Sequence, residues 1–303
     1  MEDYNQIIDS IGVKYHNVHQ IEILKPVTVS NFYDIQNTII LVGKGGMSFG
    51  TQNEIIRENE LAFIPSGKLT NINYGTKQGL SINNEQLTAQ LDHYFLTGNI
   101  DPTKENITLF SFDAKVYESV NFFQSIDIPP FKITDSPLLV ATIRELLNEN
   151  EQNRPGKERI IKITAEKIVI GIIRYVLEHH LFTEQLATNV NYFKDPRLLN
   201  IFTYIKENIG GDLSNKTLSN VANVSEDYVG QYFKMLTGIN PQDYIEYQRM
   251  EQAVEYLRTS KKSIKDIAEE IGYKDTAYFC RRFKMMFGLP AGKMRKRETI
   301  SNF

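Results

Sequence analysis

Two stretches, "NVSEDYVGQYFKMLTG" at residues 223–238 and "YKDTAYFCRRFKMMFG" at residues 273–288, decide the fold of the last third of the chain. They share a Tyr, a Phe-Lys-Met run and a closing Gly, each displaced by fifty residues. A short helical segment precedes each stretch. A break separates that segment from the helix that follows, at Asn223 in the first case and at Gly272 in the second. A duplicated helix–break–helix pattern is typical of two helix-turn-helix units in tandem. The repeat therefore predicts a region that binds duplex DNA.

The second helix of each predicted unit carries apolar residues at spacings of three and four, which predicts the side that packs inward. The inward residues are Val229, Phe233 and Leu236 in the first unit, and Phe279, Phe283 and Met286 in the second. The opposite face is predicted to meet DNA. It consists of Glu226, Asp227, Gly230, Gln231 and Lys234 in the first unit and of Thr276, Ala277, Cys280, Arg281 and Lys284 in the second.

The outward residues of the second unit suit base recognition in a major groove. An arginine such as Arg281 can donate two hydrogen bonds to the O6 and N7 atoms of guanine, and Thr276 can bond a base or a phosphate. Ala277 and Cys280 are small enough to touch a thymine methyl group. Asp275 is placed to cap this helix. The second unit is therefore expected to read bases.

The outward residues of the first unit leave two interpretations open. Glu226 and Asp227 either accept from a cytosine amino group or simply lie favourably at a helix N-terminus. Gly230 either permits close approach of the backbone to DNA or is tolerated at a cost of about 1 kcal/mol relative to alanine. Gln231 is the best candidate for base reading in this unit.

A spacer helix and a basic tail complete the predicted DNA-binding region. "NPQDYIEYQRMEQAVEYLRTS" predicts a helix that starts near Pro241 and buries Met250, Ala253, Val254 and Leu257. A helix of about 18 residues spans roughly 27 Å, which suits two units placed in successive major grooves about 34 Å apart. The tail either contacts phosphates or is only a solvated terminus. Its basic residues are Lys293, Arg295, Lys296 and Arg297.

Charge is distributed unevenly along the 303 residues. Residues 1–190 carry 16 Lys and Arg against 23 Asp and Glu, a net charge of −7. Residues 191–303 carry 18 against 14, a net charge of +4, and the stretch 261–297 alone has a net charge of +7. An acidic first part joined to a basic last part indicates a sensor attached to a polyanion-binding region.

The first part of the chain is predicted to be β structure followed by helices. Strands are expected at "VTVSNFY", "NTIILVG", "MSFG", "NELAFIPSG" and "ITLFSFDA", with a hairpin turn at Gly45-Gly46. A helix is expected around residues 138–147 and another at about 158–181. Since the second is apolar on more than one side, it is either sandwiched within the domain or shared with a partner subunit.

Several classes of protein are disfavoured by the residues that the chain has. Cys280 is its only cysteine, which excludes an intramolecular disulfide and a cysteine-based metal site. The histidines are His16, His19, His93, His179 and His180, and their spacing predicts no metal-ligand set. No apolar run approaches the roughly 20 residues of a membrane span, and the acidic start has no signal-peptide core. A cytoplasmic protein without metal or cofactor is expected.

The stretch "IAEEIGYKDTAYFCRRFKMMFGLPAGKMR" resembles the signature of the AraC/XylS family of bacterial transcription regulators. The resemblance covers about residues 195–297. It implies a domain of seven helices in which two helix-turn-helix units are joined by a long helix. Carried over by position, its base-facing residues are Asp227, Gly230 and Gln231 in the first unit and Thr276, Ala277, Cys280 and Arg281 in the second.

The resemblance also implies an organisation for the whole chain, with an α+β fold. Residues 1–182 form a cupin-like β-barrel sensor and dimerisation domain, residues 183–196 a linker, and residues 197–303 the DNA-binding domain. "ENELAFIPSG" resembles a strand and turn of such a barrel, but Lys68, Leu69 and Thr70 follow where metal-binding cupins have histidines. The implied partners are double-stranded DNA, a small effector, RNA polymerase and a second copy of the chain, bound through helices 138–182.

Two other functions remain open at this stage. The first is a co-regulatory or architectural DNA-binding protein whose N-terminal domain binds another protein. The second is a cupin-type enzyme, which would need a metal cluster or an acid–base pair that the sequence does not display. A repair methyltransferase is disfavoured because Cys280 alone cannot supply both its nucleophile and its zinc ligands.

Overall fold

The computed structural model describes residues 2–32, 36–98, 100–116, 120–186, 195–237 and 240–295. They form two compact units. The sheet unit comprises Ile11–Lys115 and Asn121–Thr183, and the helical unit comprises Glu184–Arg297 together with Met1–Ser10 and Val116–Val120. Residues 187–194 of the predicted linker lie outside the described residues.

The sheet unit contains two sheets. Its strands are β1 (Ile11–Ile23), β2 (Val27–Phe32), β3 (Asn37–Lys44), β4 (Gly46–Phe49), β5 (Glu54–Arg57), β6 (Leu61–Ile64), β7 (Thr70–Tyr74), β8 (Leu80–Ile82), β9 (Phe95–Thr97), β10 (Asn106–Val116), β11 (Val120–Asn121) and β12 (Phe131–Ile133). The first sheet has the order β12-β6-β3-β10-β1-β9, with β11 beside β10, and the second has the order β5-β4-β7-β2-β8. All five predicted strands are confirmed.

The predicted hairpin at Gly45-Gly46 is wrong. β3 pairs with β6 and β10 in the first sheet, whereas β4 pairs with β5 and β7 in the second. Gly45 has φ of 88°, a left-handed conformation that glycine adopts without strain, and it turns the chain from one sheet into the other. A bend that carries the chain from one sheet to another favours glycine just as a hairpin turn does, so the sequence pattern does not distinguish the two.

The predicted α+β fold with an N-terminal β domain is confirmed, but the strands of the predicted cupin-like β-barrel do not close into a barrel in the described part of the chain. Among the described residues the strands form two sheets, and one apolar cluster includes side chains from both. It contains Ile40, Val42 and Ile64 of the first sheet together with Val29 and Ile72 of the second. The core therefore lies between two sheets, which is the arrangement of a sandwich.

Helices cover the first sheet and fill the connections of the sheet unit. The short ones are α2 (Asn84–Ala89), α3 (Leu91–Tyr94) and α4 (Phe122–Ser125), and α1 (Glu2–Ser10) belongs to the helical unit. The long ones are α5 (Pro137–Glu151) and α6 (Lys157–Glu178), at the predicted places. Because α6 packs against both α5 and β1, it is apolar on more than one side.

The helical unit contains the predicted arrangement of helices. They are α7 (Pro196–Glu207), α8 (Asn215–Ala222), α9 (Glu226–Thr237), α10 (Pro241–Thr259), α11 (Ile264–Glu270), α12 (Thr276–Phe287) and α13 (Ala291–Met294). α8 and α9 form the first helix-turn-helix unit, α11 and α12 form the second, and α10 is the spacer. No helix in the described part of either unit is long and apolar enough to span a bilayer.

Capping residues define where these helices begin and end. Ser214 Oγ accepts from the backbone N–H of Thr217 at 3.4 Å, and Asn223 ends α8 with φ of 54°. Gly272 has φ of 90° in the second turn, and Pro241 occupies the first turn of α10. The predicted breaks at Asn223 and Gly272 are thus confirmed, because both positions require a left-handed backbone.

Candidate nucleic-acid interface

An aromatic cluster holds the recognition helix of the first unit, α9, against its neighbours. Val229 and Phe233 are fully buried, as predicted, and the side chain of Leu236 lies outside the described residues. The Phe233 ring lies 5.6 Å from the ring of Phe202 on α7 and 5.6 Å from that of Tyr244 on α10. Buried aromatic contacts of this kind fix the orientation of a helix. The face opposite Phe233 is consequently turned to solvent.

The ion pair between Asp195 and Arg197 at the start of α7 also contacts α9, through Tyr232. The guanidinium of Arg197 donates to the Asp195 carboxylate at 3.0 Å and lies 4.9 Å from the centre of the Tyr232 ring. This hydrogen bond lowers the pKa of Asp195 to about 2. Because the pKa is depressed, the pair stabilises the fold above about pH 4. That contribution disappears as the pH falls towards 2.

The outward face of α9 is exposed but carries little positive charge. Glu226, Asp227, Gln231 and Lys234 are exposed, and Gly230 is half-buried. The two carboxylates lie in the first turn, where the helix dipole stabilises negative charge. Phosphate would be repelled there, so α9 is less favourable for DNA binding than the recognition helix of the second unit.

Asp275 caps α12, the recognition helix of the second unit. Its carboxylate accepts from the backbone N–H groups of Ala277 at 2.7 Å and Tyr278 at 3.1 Å, which lowers the pKa of Asp275. A charged cap of this kind satisfies two backbone donors that a helix start leaves without partners. The predicted cap is therefore confirmed.

The buried side of α12 differs from the prediction by one residue. Phe279 and Phe283 are fully buried, as predicted, but Phe287 takes the third inward position and Met286 is only half-buried. The rings of Phe283 and Phe287 are 4.5 Å apart. Positions 286 and 287 both fit a helical stripe, and burial of the larger aromatic ring removes more apolar area from water.

The outward face of α12 presents the predicted residues in an accessible row. Ala277, Arg281 and Lys284 are exposed, and Thr276 and Cys280 are half-buried. The Arg281 guanidinium lies 6.0 Å from the centre of the Tyr278 ring, at the outer limit of a cation–π contact. α12 thus offers two cations and a threonine hydroxyl along one accessible side, with no carboxylate among them.

Arg282, next to Arg281 in sequence, has a different environment. Its Nε and Nη2 atoms each donate to the Glu246 carboxylate of α10 at 2.5 Å, which raises the pKa of Arg282. A bidentate pair of this kind holds both charges in a fixed geometry. Arg282 therefore attaches α12 to α10, and Arg281 remains available for DNA.

Two exposed tyrosines belong to the candidate interface, although sequence reasoning did not assign them. Tyr228 is 43% exposed on α9, and its repeat equivalent Tyr278 is 46% exposed on α12. Each lies near a more buried tyrosine, Tyr232 at 5.7 Å and Tyr273 at 6.1 Å between ring centres. The signal was present in the repeat, where both tyrosines occupy the same position. Their hydroxyl groups suit phosphate contacts beside each recognition helix.

The spacer and the tail differ in how closely they follow the prediction. α10 has 19 residues, a length of about 28 Å, and buries Met250, Ala253, Val254 and Leu257 as predicted. Lys293 is exposed. Arg295 is half-buried and donates to the Lys262 carbonyl oxygen, so a phosphate would compete with that contact. Lys296 and Arg297 lie outside the described residues.

Replacing Gly230 with alanine should stabilise the helical unit. An added Cβ would lie 3.6 Å from Asn215 Nδ2, an ordinary contact, and the backbone of Gly230 is not left-handed. Alanine favours a helix over glycine by about 1 kcal/mol, and we expect an increase of that size in the free energy of unfolding. Urea denaturation followed by circular dichroism measures it, and a lower stability would contradict the open geometry. DNA affinity of the same variant separates the two interpretations of Gly230.

Metal ligands do not gather in the described parts of the chain. There, no group of three His, Cys, Asp or Glu side chains could hold a metal ion. His16 instead pairs with Asp113 at 2.9 Å, and His179 contacts the Tyr175 carbonyl oxygen at 2.9 Å. These two histidines have structural partners.

Comparisons with known proteins agree with the geometry of the helical unit. Residues 218–297 match the helix-turn-helix domain family. An uncharacterised HTH-type transcriptional regulator of Haemophilus influenzae is 21% identical over 248 residues, which cover 81% of this chain and 80% of that protein. A putative AraC-like transcription regulator of Streptomyces lividans is 24% identical over 161 residues, 52% of this chain and 53% of that protein. Several other regulators match over 36–55% of their own length.

A solved structure resembles the chain over nearly its whole length. It is that of unsaturated fatty acid bound wild-type ToxT from Vibrio cholerae, with 12% identity, a TM-score of 0.52 and coverage of 96% of both chains. At this identity the likeness concerns the fold, an N-terminal β unit followed by helix-turn-helix units. Residues 218–297 thus form a helix-turn-helix domain, and the chain is similar to AraC-like transcription regulators.

Proposed function

We propose that this regulator recognises an operator made of two short sequence elements, called boxes, one for each helix-turn-helix unit. We further propose that it reads the bases mainly through α12. The observation that carries the proposal is the outward face of α12, where Arg281 and Lys284 are exposed while the neighbouring Arg282 is held by Glu246. Arginine and lysine along a recognition helix provide both guanine contacts and phosphate attraction. Because the first turn of α9 is acidic, we expect the first unit to contribute less to base reading than the second. We place the protein in the cytoplasm, where bacterial DNA and RNA polymerase are found.

Selection from a random duplex library tests this proposal. The purified full-length chain is mixed with random DNA at about 150 mM salt, where non-specific phosphate binding is weak. We expect enrichment of two sequence boxes, the more strongly defined one containing guanine opposite Arg281. Recovery of unenriched DNA at all salt concentrations would contradict sequence-specific binding.

We further propose that a small apolar effector controls the sheet unit. Its support is the apolar cluster between the two sheets and the likeness in fold to a ToxT structure that holds an unsaturated fatty acid. A shift in thermal unfolding on addition of an unsaturated fatty acid, with mass spectrometry of molecules that co-purify, tests the idea. The absence of both a shift and any co-purified ligand would contradict it.

A protein partner for the sheet unit is the second candidate. Three large apolar side chains at the second sheet are exposed: Ile55 on the edge strand β5, Leu80 on the edge strand β8, and Leu69 just before β7. Exposed apolar residues at sheet edges favour contact with another protein. Recovery of a defined protein complex, with no small molecule bound, would favour this alternative. Catalysis is not part of either candidate, since the named relatives are transcription regulators.

We also propose that the chain forms a homodimer through α5 and α6. Leu138, Ile160 and Ile163 on these helices are 70%, 42% and 51% exposed, although α6 already packs on two sides.

Contact with RNA polymerase, as the family implies, would follow from a dimer bound beside a promoter. Transcription in vitro from a promoter that carries the selected operator tests that contact.

Replacing Ile163 with glutamate should weaken this dimer. The carboxylate would have to be desolvated in an apolar contact, and we expect a rise in the dimer dissociation constant of at least about tenfold. Light scattering during size-exclusion chromatography measures it. Lys162→Glu, an exposed neighbour on the same helix, is the control for charge. A dimer equally stable in both variants would exclude Ile163 from the interface.

A further inference from the structure

The loop that follows α7 lies directly against the turn of the second helix-turn-helix unit. A Cβ atom added to Gly210 would lie 2.2 Å from the carbonyl oxygen of Glu270, which is too close for any side chain. One added to Gly272 would lie 3.1 Å from the Gly210 carbonyl oxygen. Two backbone segments that are far apart in sequence thus meet at glycines, one on each side.

Arg249 of the spacer helix binds both sides of this contact. Its Nε atom donates to the Ile209 carbonyl oxygen at 3.0 Å and its Nη2 atom to the Gly211 carbonyl oxygen at 3.1 Å. The guanidinium also lies 5.9 Å from the centre of the Tyr273 ring, in the turn between α11 and α12. A Cβ at Gly272 would come within 2.7 Å of Nη2, so the absence of a side chain there makes room for the arginine. We call Ile209, Gly210, Gly211, Arg249, Gly272 and Tyr273 the glycine junction.

The glycine junction completes a set of contacts that includes both recognition helices. α10 meets α9 through the cluster of Phe233 and Tyr244, and it meets α12 through the pair of Glu246 and Arg282. The junction adds a direct connection between the loop preceding the first unit and the turn of the second. A spacer helix alone leaves two attached units free to rotate about its ends, whereas a third contact removes that freedom.

We propose that Arg249 is a positioning residue that sets the spacing and relative orientation of the two recognition helices on DNA. This inference rests on the proposed two-box function. Linked sites bind cooperatively only when their geometry matches the spacing of the two targets. With the junction intact, the chain tolerates one spacing between its boxes. Without it, each unit still recognises its own box, but the selection for spacing is lost.

Binding to duplexes of altered spacing tests the inference. The probes are the selected operator, versions with one or two base pairs inserted or removed between the boxes, and a half-site duplex with the second box alone. The wild-type chain should lose at least about tenfold in affinity on the altered spacings. Arg249→Met should bind the selected operator at least about tenfold more weakly than the wild type, yet bind the half-site within about twofold and discriminate spacings by less than about threefold.

Two further variants separate positioning from charge and from misfolding. Arg249→Lys keeps a cation for a phosphate but cannot reach two carbonyl oxygens and the tyrosine ring together, so it should not restore spacing discrimination. Gly210→Ala disrupts the junction without altering charge and should behave like Arg249→Met. Gly292→Ala is its control, since an added Cβ there makes only an ordinary contact of 3.6 Å with Ile264.

The outcomes distinguish this inference from the function on which it rests. Undiminished spacing discrimination in Arg249→Met and Gly210→Ala would overturn the positioning role. An equal loss of affinity on the half-site and the full operator would also overturn it, because that pattern indicates a phosphate contact or lost stability. Failure of the wild type to select two boxes would instead contradict the proposed function.

Discussion

Arg281→Ala should weaken binding to the selected operator by about 1–3 kcal/mol, roughly 5- to 150-fold at fixed salt. Arg281 is exposed on the outward face of α12, with Asp275 and the buried Phe279 and Phe283 fixing that helix. Loss of a bidentate guanine contact removes discrimination at one base pair, whereas loss of a phosphate contact weakens all sequences alike. Fluorescence anisotropy with the operator and its single-base variants measures both quantities.

Two controls make the result specific to Arg281. Arg281→Lys keeps a positive charge but loses the fork geometry, so it should restore affinity for unrelated DNA more than affinity for the operator. Arg154→Ala removes an exposed arginine from the sheet unit and should leave operator affinity unchanged. If Arg281→Ala binds the operator as tightly as the wild type does, α12 does not read bases through this residue.

Phe283→Ala should lower the stability of the helical unit by about 3–5 kcal/mol, the cost of truncating a fully buried aromatic residue. The Phe283 ring lies between those of Phe279 at 5.6 Å and Phe287 at 4.5 Å, so its removal leaves a cavity between two rings. Since whole domains have stabilities of only about 5–15 kcal/mol, much of the operator binding should be lost at elevated temperature. Urea denaturation followed by circular dichroism, with hydrogen exchange to locate the change, measures the effect.

Met285→Ala is the matched control for this experiment. Met285 is exposed on the same helix, two residues away, and its truncation should change stability by less than about 0.5 kcal/mol. Phe63→Ala provides a second comparison, since Phe63 is equally buried but belongs to the sheet unit. Hydrogen exchange should then increase in the sheet unit. A similar small change in Phe283→Ala and Met285→Ala would contradict the described packing of α12.

Local pattern predicted the helical unit well because its determinants lie close together in sequence. The capping residue Asp275, the left-handed residues Asn223 and Gly272 and the pair Phe279 and Phe283 each act within one or two helical turns. The exception was the choice between Met286 and Phe287. Neighbouring positions on a helix fit the same stripe, and only the surrounding side chains decide which one is buried.

The rest depended on contacts between residues that are distant in sequence. Gly45 looked like a hairpin glycine, but β4 pairs with β5 and β7 in the second sheet and not with β3, and no local signal at Gly45 encodes that choice. The long strand β1 was not predicted because His, Asn and Lys interrupt its apolar residues. Arg281 and Arg282 are adjacent in sequence, and it is Glu246, thirty-six residues away from Arg282, that gives them different roles.

The central claim is that both recognition helices enter successive major grooves, with α12 reading bases. Methylation protection of guanine N7 on the selected operator tests it most directly, because N7 is accessible only in the major groove. We predict two clusters of protected guanines on one side of the duplex, about 10 base pairs apart. Protection should be stronger in the box that α12 reads, and Arg281→Ala should abolish the protection of that box. One protected cluster, or protection unaffected by Arg281→Ala, would contradict the claim.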